Sequence, residues 1–192
     1  MQLTSMGHPI VGAIFFSFGL MCVCVLGANL FTGKVGYVLE NDKFYLLDVL
    51  IMSIGNIIGA LAVGYLAGVI FKDWHVATET KFVDNGMFFD SFLRAVGAGA
   101  FVYLAVECFK KIDHMVGKLA MIMLSIATMV LLGCNHSIAN VFYFAYSQIT
   151  VPNFNWGIAI LSVFVAMIGN SMGSILLYLL QKAITIVPKN RA

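Results

Sequence analysis

The chain has 192 residues, 61 % of them Ala, Val, Ile, Leu, Met, Phe, Trp, Tyr or Cys and only 10 % Asp, Glu, Lys or Arg. Soluble domains run near ~45–50 % apolar and ~25 % charged, which excludes an ordinary soluble domain, and eleven Lys and Arg against nine acids leave no basic face for nucleic acid. A membrane-crossing helix takes about 20 mostly apolar residues, so the apolar content allows about five spans and leaves no room for a soluble catalytic domain.

The N-terminus, MQLTSMGHPI, has no basic segment, and the apolar run after it lacks a small-residue cleavage site, so no cleaved signal peptide is expected. Apolar runs follow at Pro9–Phe31, Tyr45–Phe71, Gly86–Phe109, Leu119–Gln148 and Trp156–Ile186. The pattern predicts five helical spans forming one all-α transmembrane domain over residues 1–192. Cys22, Cys24, Cys108 and Cys134 all lie inside these runs and read as small core residues, not as a disulfide frame.

Two spans are interrupted alike. Leu26-Gly27-Ala28-Asn29-Leu30-Phe31-Thr32-Gly33 breaks the first, and Gly133-Cys134-Asn135-His136-Ser137-Ile138-Ala139-Asn140 breaks the fourth. Non-helical backbone at membrane depth is tolerated only where protein or a water-filled cavity satisfies it, so each break marks an expected pore wall. Basic residues are retained on the cytoplasmic side. Lys34, Lys43, Lys110, Lys111, Lys118, Lys182, Lys189 and Arg191 fall on one side and only Lys72 and Lys81 on the other. The C-terminus is therefore expected inside and the N-terminus outside, in a plasma (inner) membrane.

The breaks belong to an internal repeat. Leu26-Gly27-Ala28-Asn29 is echoed by Leu132-Gly133-Cys134-Asn135, and Ile54-Gly55-Asn56-Ile57-Ile58-Gly59 by Ile168-Gly169-Asn170-Ser171-Met172-Gly173. The copies lie an odd number of spans apart, so the halves, residues 9–71 and 86–187, run in opposite directions. This is the inverted-repeat plan of many transporters, with the site at the midplane. The first repeat is incomplete: the second has a whole span ahead of its broken helix.

These motifs resemble the formate/nitrite transporter family, which conducts formate, nitrite, hydrosulfide or lactate. The matching residues, in the family's order, are Gly27-Ala28-Asn29-Leu30-Phe31-Thr32, Ile54-Gly55-Asn56-Ile57-Ile58-Gly59-Ala60, His136-Ser137-Ile138-Ala139-Asn140 and Ile168-Gly169-Asn170, with Phe92-Leu93-Arg94 and Leu104-Ala105-Val106 between. The resemblance implies an aquaporin-like inverted repeat with two broken helices. It also implies a homopentamer of six-span protomers, each with its own pore and a central His between two hydrophobic constrictions. By position, Leu20, Leu30, Phe31 and Thr32 would build the cytoplasmic constriction and Phe16 with Met129 the outer one, around His136. Asn170 would face the pore.

The chain departs from the family pattern in several places. The first family span has no counterpart, so a truncated start, a fragment or a degenerate copy is expected. Asn135 stands where an acidic residue often precedes the central His, Gly99 where an Asn is usual, and Val83 where a Lys is usual, with Lys81 nearest.

Each candidate has a plainer reading. His136 is the one His deep in an apolar run; a hydrogen-bonded core residue is the alternative to a neutral ring bonding a passing anion. Asn29, Thr32, Ser137 and Asn140 could line the pore or merely cap half-helices, whose N-termini would favour an anion. Arg94 and Asp90 suggest an i,i+4 ion pair, Glu107 a partner for Lys110 or Lys111, and Lys34 a membrane anchor or an anion collector. No metal or cofactor site is implied, because no His, Cys or carboxylate cluster has ligand spacing.

The reading that follows is a channel or transporter, not an enzyme, for small monovalent anions of weak acids, with a proton as possible co-substrate and lipid around it. The alternative is a non-conducting or degenerate subunit of such a channel. Hydrolysis by Ser137 or Cys134 with His136 is disfavoured, since chain neighbours do not form a nucleophile–base–orienter geometry.

Overall fold

The computed structural model describes residues 3, 6–74, 81–82 and 88–186. Val83, Gly86, Lys189 and Arg191, named above, lie outside the described residues. The helices are α1 (Pro9–Val25), α2 (Phe31–Lys34) continued by a 3-10 helix (Val35–Leu39), α3 (Tyr45–Ile70), α4 (Phe88–Lys111), α5 (Met115–Leu131), α6 (Ser137–Thr150) and α7 (Trp156–Ile186). Three are long and apolar enough to cross a membrane: α3, α4, and α7 over Trp156–Thr185. The shorter α1 and α5, 17 residues each, are the first parts of the two interrupted spans.

Charges displaced two boundaries from the apolar runs. Lys34 ends the first run by hydropathy, yet the chain continues helically to Leu39 because Tyr37 is buried and Tyr45 Oη donates to Lys34 O at 3.0 Å. Lys118 delays the fourth run, yet α5 begins at Met115: Lys118 Nζ sits 5.0 Å from the Phe109 ring centre, and His114 Nδ1 accepts from Gly117 N at the helix start.

Helix pairs are drawn together by close approach. A Cβ on Gly99 would collide with the Asn170 backbone, and one on Gly173 with Val96 O, so α4 and α7 touch main chain to main chain. A Cβ on Gly64 would lie 2.5 Å from Phe142 O, placing α3 equally close to α6. The main apolar cluster joins Leu20 of α1, Ala98, Val102 and Ala105 of α4, and Ile122, Ile126 and Met129 of α5. A second cluster, Tyr37, Tyr103 and Tyr178, ties the 3-10 helix to α4 and α7.

Candidate functional site

Both breaks are built by the same local chemistry. α1 ends with Ala28 N donating to Val23 O (2.9 Å) and Gly27 at φ +68, and α5 ends with Cys134 N donating to Met129 O (3.1 Å) and Gly133 at φ +68. This left-handed stop favours glycine, which has no Cβ to clash. The chain then runs extended to Leu30 (φ −108, ψ 125) and to His136 (φ −96, ψ 117), each the residue before a half-helix, α2 or α6. Leu30 and His136 are therefore equivalent positions of the repeat.

The repeated Asn residues hold the breaks. Asn56 Oδ1 accepts from Phe31 N (2.8 Å) and its Nδ2 donates to Asn29 O (3.0 Å). Asn170 Oδ1 accepts from Ser137 N (2.9 Å), and its Nδ2 donates to Asn135 O (2.9 Å) and to Ala95 O of α4 (2.8 Å). Capping thus comes from across the molecule and, at α6, also from the His136 ring, not from the side chains of Asn29, Thr32, Ser137 or Asn140. It also occupies the first N–H of each half-helix, so helix N-termini are less open to a ligand than the sequence suggests.

His136 is 8 % exposed. Its Nδ1 accepts from Ala139 N at 3.2 Å, capping α6, and its Nε2 lies 2.8 Å from Thr32 Oγ1. With Nδ1 accepting, the neutral ring carries its proton on Nε2 and donates it to Thr32. One hydrogen bond thus joins the two breaks, and it is the one His bond an entering acceptor could replace without unwinding a helix end.

A cavity of about 830 Å³ opens in front of this ring, with Phe16, Leu20, Leu30 and Met129 among its walls. Phe31 and Asn170 do not line it. Phe31 packs with Val35 and Val49, and Asn170 is spent on the bonds above. Thr32 reaches it only through His136. Asn135 Nδ2 donates to Ser91 Oγ at 2.9 Å. Asn140 lines a smaller space of about 50 Å³ with Phe16, Lys81, Met129 and His136. Both polar side-chain atoms of Asn140 are buried without a partner among the described residues.

Lys81, weighed only as a neighbour of Val83, enters that smaller space from a loop and donates to Cys134 O at 3.3 Å. Burial, the largest influence, pulls its ammonium below the ordinary lysine range, with Arg94 adding in the same direction and Cys134 opposing. Asn56 was legible only as part of a motif; its recurrence in both copies was the available signal for a clamp. Arg94 forms its ion pair with Asp90 (2.7 Å) and Glu107 with Lys111 (2.9 Å). Lys34 lines a pocket of about 180 Å³ with Leu30 and Lys110.

The family model for formate/nitrite transporters matches residues 2–183. The chain belongs to the formate/nitrite transporter family. It is 31 % identical over 178 residues to an uncharacterized transporter, YrhG, of Bacillus subtilis (85 % of this chain, 66 % of the relative). It is 30 % identical over 162 residues to a probable formate transporter of Methanothermobacter thermautotrophicus (70 % of this chain, 59 % of the relative). The chain thus spans less than two thirds of the length of these relatives. A solved pentameric formate channel with formate bound superposes with a TM-score of 0.67 at 17 % identity, covering 93 % of this chain and 81 % of that one. The fold is therefore that of the formate channel, in an integral membrane protein of a transporter family. At Gly99 the Asn170 backbone leaves no room for a side chain.

Proposed function

We propose that this chain forms a membrane channel or transporter for small monovalent anions of weak acids, of the formate, nitrite and hydrosulfide class. The observation that carries this reading is the single exchangeable hydrogen bond of His136, Nε2 to Thr32 Oγ1, set in an apolar cavity between Phe16–Met129 and Leu20–Leu30. Desolvating an anion between apolar walls is costly unless a donor meets it. The Nε2–H, released from Thr32, meets the anion halfway and hydrogen-bonds it, so that its charge has a donor where water is scarcest. Lys81 and the unpartnered Asn140 lie on the outer approach and favour a negative solute over a neutral one. A homopentamer in a plasma (inner) membrane with a cytoplasmic C-terminus completes the proposal, supported by the pentameric channel of like fold and by the lysine distribution.

Stopped-flow uptake of formate, nitrite and hydrosulfide into proteoliposomes tests it. Flux above protein-free vesicles for at least one anion, lost in His136→Ala, is the expected result. Full flux and pH dependence in His136→Ala would remove that residue from the mechanism. A second reading, a non-conducting subunit, is favoured by the open flank of the cavity along Gly55 and Gly59, where no described atom lies within 4 Å of an added Cβ. It predicts no flux for any of the three.

A further inference from the structure

Charged side chains at the lysine-rich end of the bundle are sorted between two spaces. One, of about 250 Å³, has Glu40 and Glu107 in its wall together with Lys111 and Lys182. Its charges balance: Glu107 pairs with Lys111 at 2.9 Å, and its carboxylate also accepts from Tyr37 Oη at 2.6 Å and from Gln181 Nε2 at 2.9 Å. The other, of about 180 Å³, has Lys34 and Lys110 in its wall and neither Asp nor Glu. With both Glu107 oxygens engaged, Lys110 Nζ lies over the Tyr37 ring, 3.4 Å from its centre, a contact that holds a cation without neutralising it. Lys34 is half-buried at the end of α2, its main chain fixed by Tyr45 Oη donating to its carbonyl at 3.0 Å. Neither lysine has a carboxylate at ion-pairing distance among the described residues. The two ammonium groups act on one another, whereas Glu40 and Glu107 reach Lys110 only from outside the pocket. Two like charges sharing one concavity between apolar walls repel unless an anion lies with them. Val23 and Leu30 are walls of both this pocket and the 830 Å³ cavity, so the pocket adjoins the His136 cavity across Leu30.

We propose that Lys34 and Lys110 form a second anion site, which holds a small monovalent anion such as nitrite or formate between two ammonium groups on the far side of Leu30 from His136. The two sites differ in kind. His136 offers one directional N–H in an uncharged wall, whereas an ammonium acts as a compact point charge, so the lysine pair selects by charge and size and not by the shape of the anion. An anion crossing Leu30 exchanges one neutral donor for two charges beside water. The site rests on the transport reading for its role as a station on that path, but not for its existence. Binding needs only a pocket open to solution, and here Lys110 is exposed and Cys24 half-buried.

Cys24 lines the same pocket and serves as a reporter of its potential. The full chain, with Cys22, Cys108 and Cys134 replaced by alanine and held in detergent micelles that leave both ends accessible, is reacted with methanethiosulfonates carrying either a sulfonate or an ammonium group. The ratio of the two rates at Cys24, divided by the same ratio for a free thiol in solution, removes intrinsic reactivity and thiolate fraction. That quotient is expected to favour the anionic reagent at least about tenfold. It should fall at least about threefold in Lys34→Gln or Lys110→Gln, recover in Lys34→Arg or Lys110→Arg, and stay unchanged in Lys43→Gln, at an exposed lysine outside the pocket. At constant ionic strength, sodium nitrite should slow the anionic reagent more than sodium gluconate does, and the difference should vanish when both lysines are glutamine. A quotient near one overturns the proposal, as does a quotient indifferent to both lysines, a nitrite effect that persists without them, or failure of either reagent to reach Cys24. Every readout is the labelling of Cys24 and none is flux. A chain that transports nothing can therefore still show the site, and a transporting chain can lack it.

Discussion

The proton position on His136 decides what a solute finds in the cavity. Because Nδ1 is committed to Ala139 N, only Nε2 is free to change partners, and its resting partner is Thr32 Oγ1 at 2.8 Å. Thr32→Val keeps the volume and removes the acceptor, leaving a buried donor unpaired, which costs about 1–3 kcal/mol. We expect a lower unfolding temperature in detergent, recovered in Thr32→Ser. Lys81 makes a separate claim. A lysine whose range is lowered by burial loses its charge, as pH rises, earlier than an ordinary lysine. Nitrite stays ionised from neutral to alkaline pH, so its uptake is expected to fall across that interval in the parent. Lys81→Arg, which stays protonated, should flatten the decline. A parent and an arginine variant with superimposable pH profiles would exclude Lys81 from the anion's path.

The broken helices show how much the sequence disclosed and where it stopped. Gly27 and Gly133 could be read as helix stops because they recur in an apolar run, and both have the left-handed φ of +68 that such stops require. Ala at either position is expected to destabilise by about 1–2 kcal/mol, the cost of a Cβ in that region, read as a fall in unfolding temperature. Gly99→Ala should be worse, because its Cβ meets main chain that cannot rotate away. Leu30 and His136 were legible as pore candidates from their breaks. The pairing of Phe31 with Val35 and Val49 was not, because periodicity cannot say which way a four-residue helix turns its side chains. Nor could spacing show that Asn56 and Asn170, far from the breaks in sequence, tie them down, or that Tyr37 Oη donates to Glu107 at 2.6 Å while Gln181 Nε2 donates to the other carboxylate oxygen at 2.9 Å. Contacts between distant segments of unlike composition leave no local pattern.

At the scale of the whole molecule, the lysines and the tertiary bonds divide the protein into two ends. Glu107 joins the 3-10 helix, α4 and α7 at one end, where Lys110 lies over the Tyr37 ring at 3.4 Å and Lys182 donates to Tyr178 Oη at 3.2 Å. At the other end Tyr146 Oη donates to Phe71 O and Trp74 O, and Lys81 donates to Cys134 O. The segments that carry Lys34, Lys110, Lys111 and Lys182 thus gather on one face of the bundle. Retention of basic residues in the cytoplasm is the ground for the proposed orientation, with that end inside. In cells expressing a variant with its four cysteines replaced, Asn153→Cys, in the turn between α6 and α7, is expected to react with a membrane-impermeant maleimide from outside. Lys118→Cys, beside the start of α5, should react only after permeabilisation. The reverse pattern would invert the molecule and move Lys81 and Asn140 to the cytoplasmic approach, so that the outward charge proposed to gather anions would act on efflux instead of uptake.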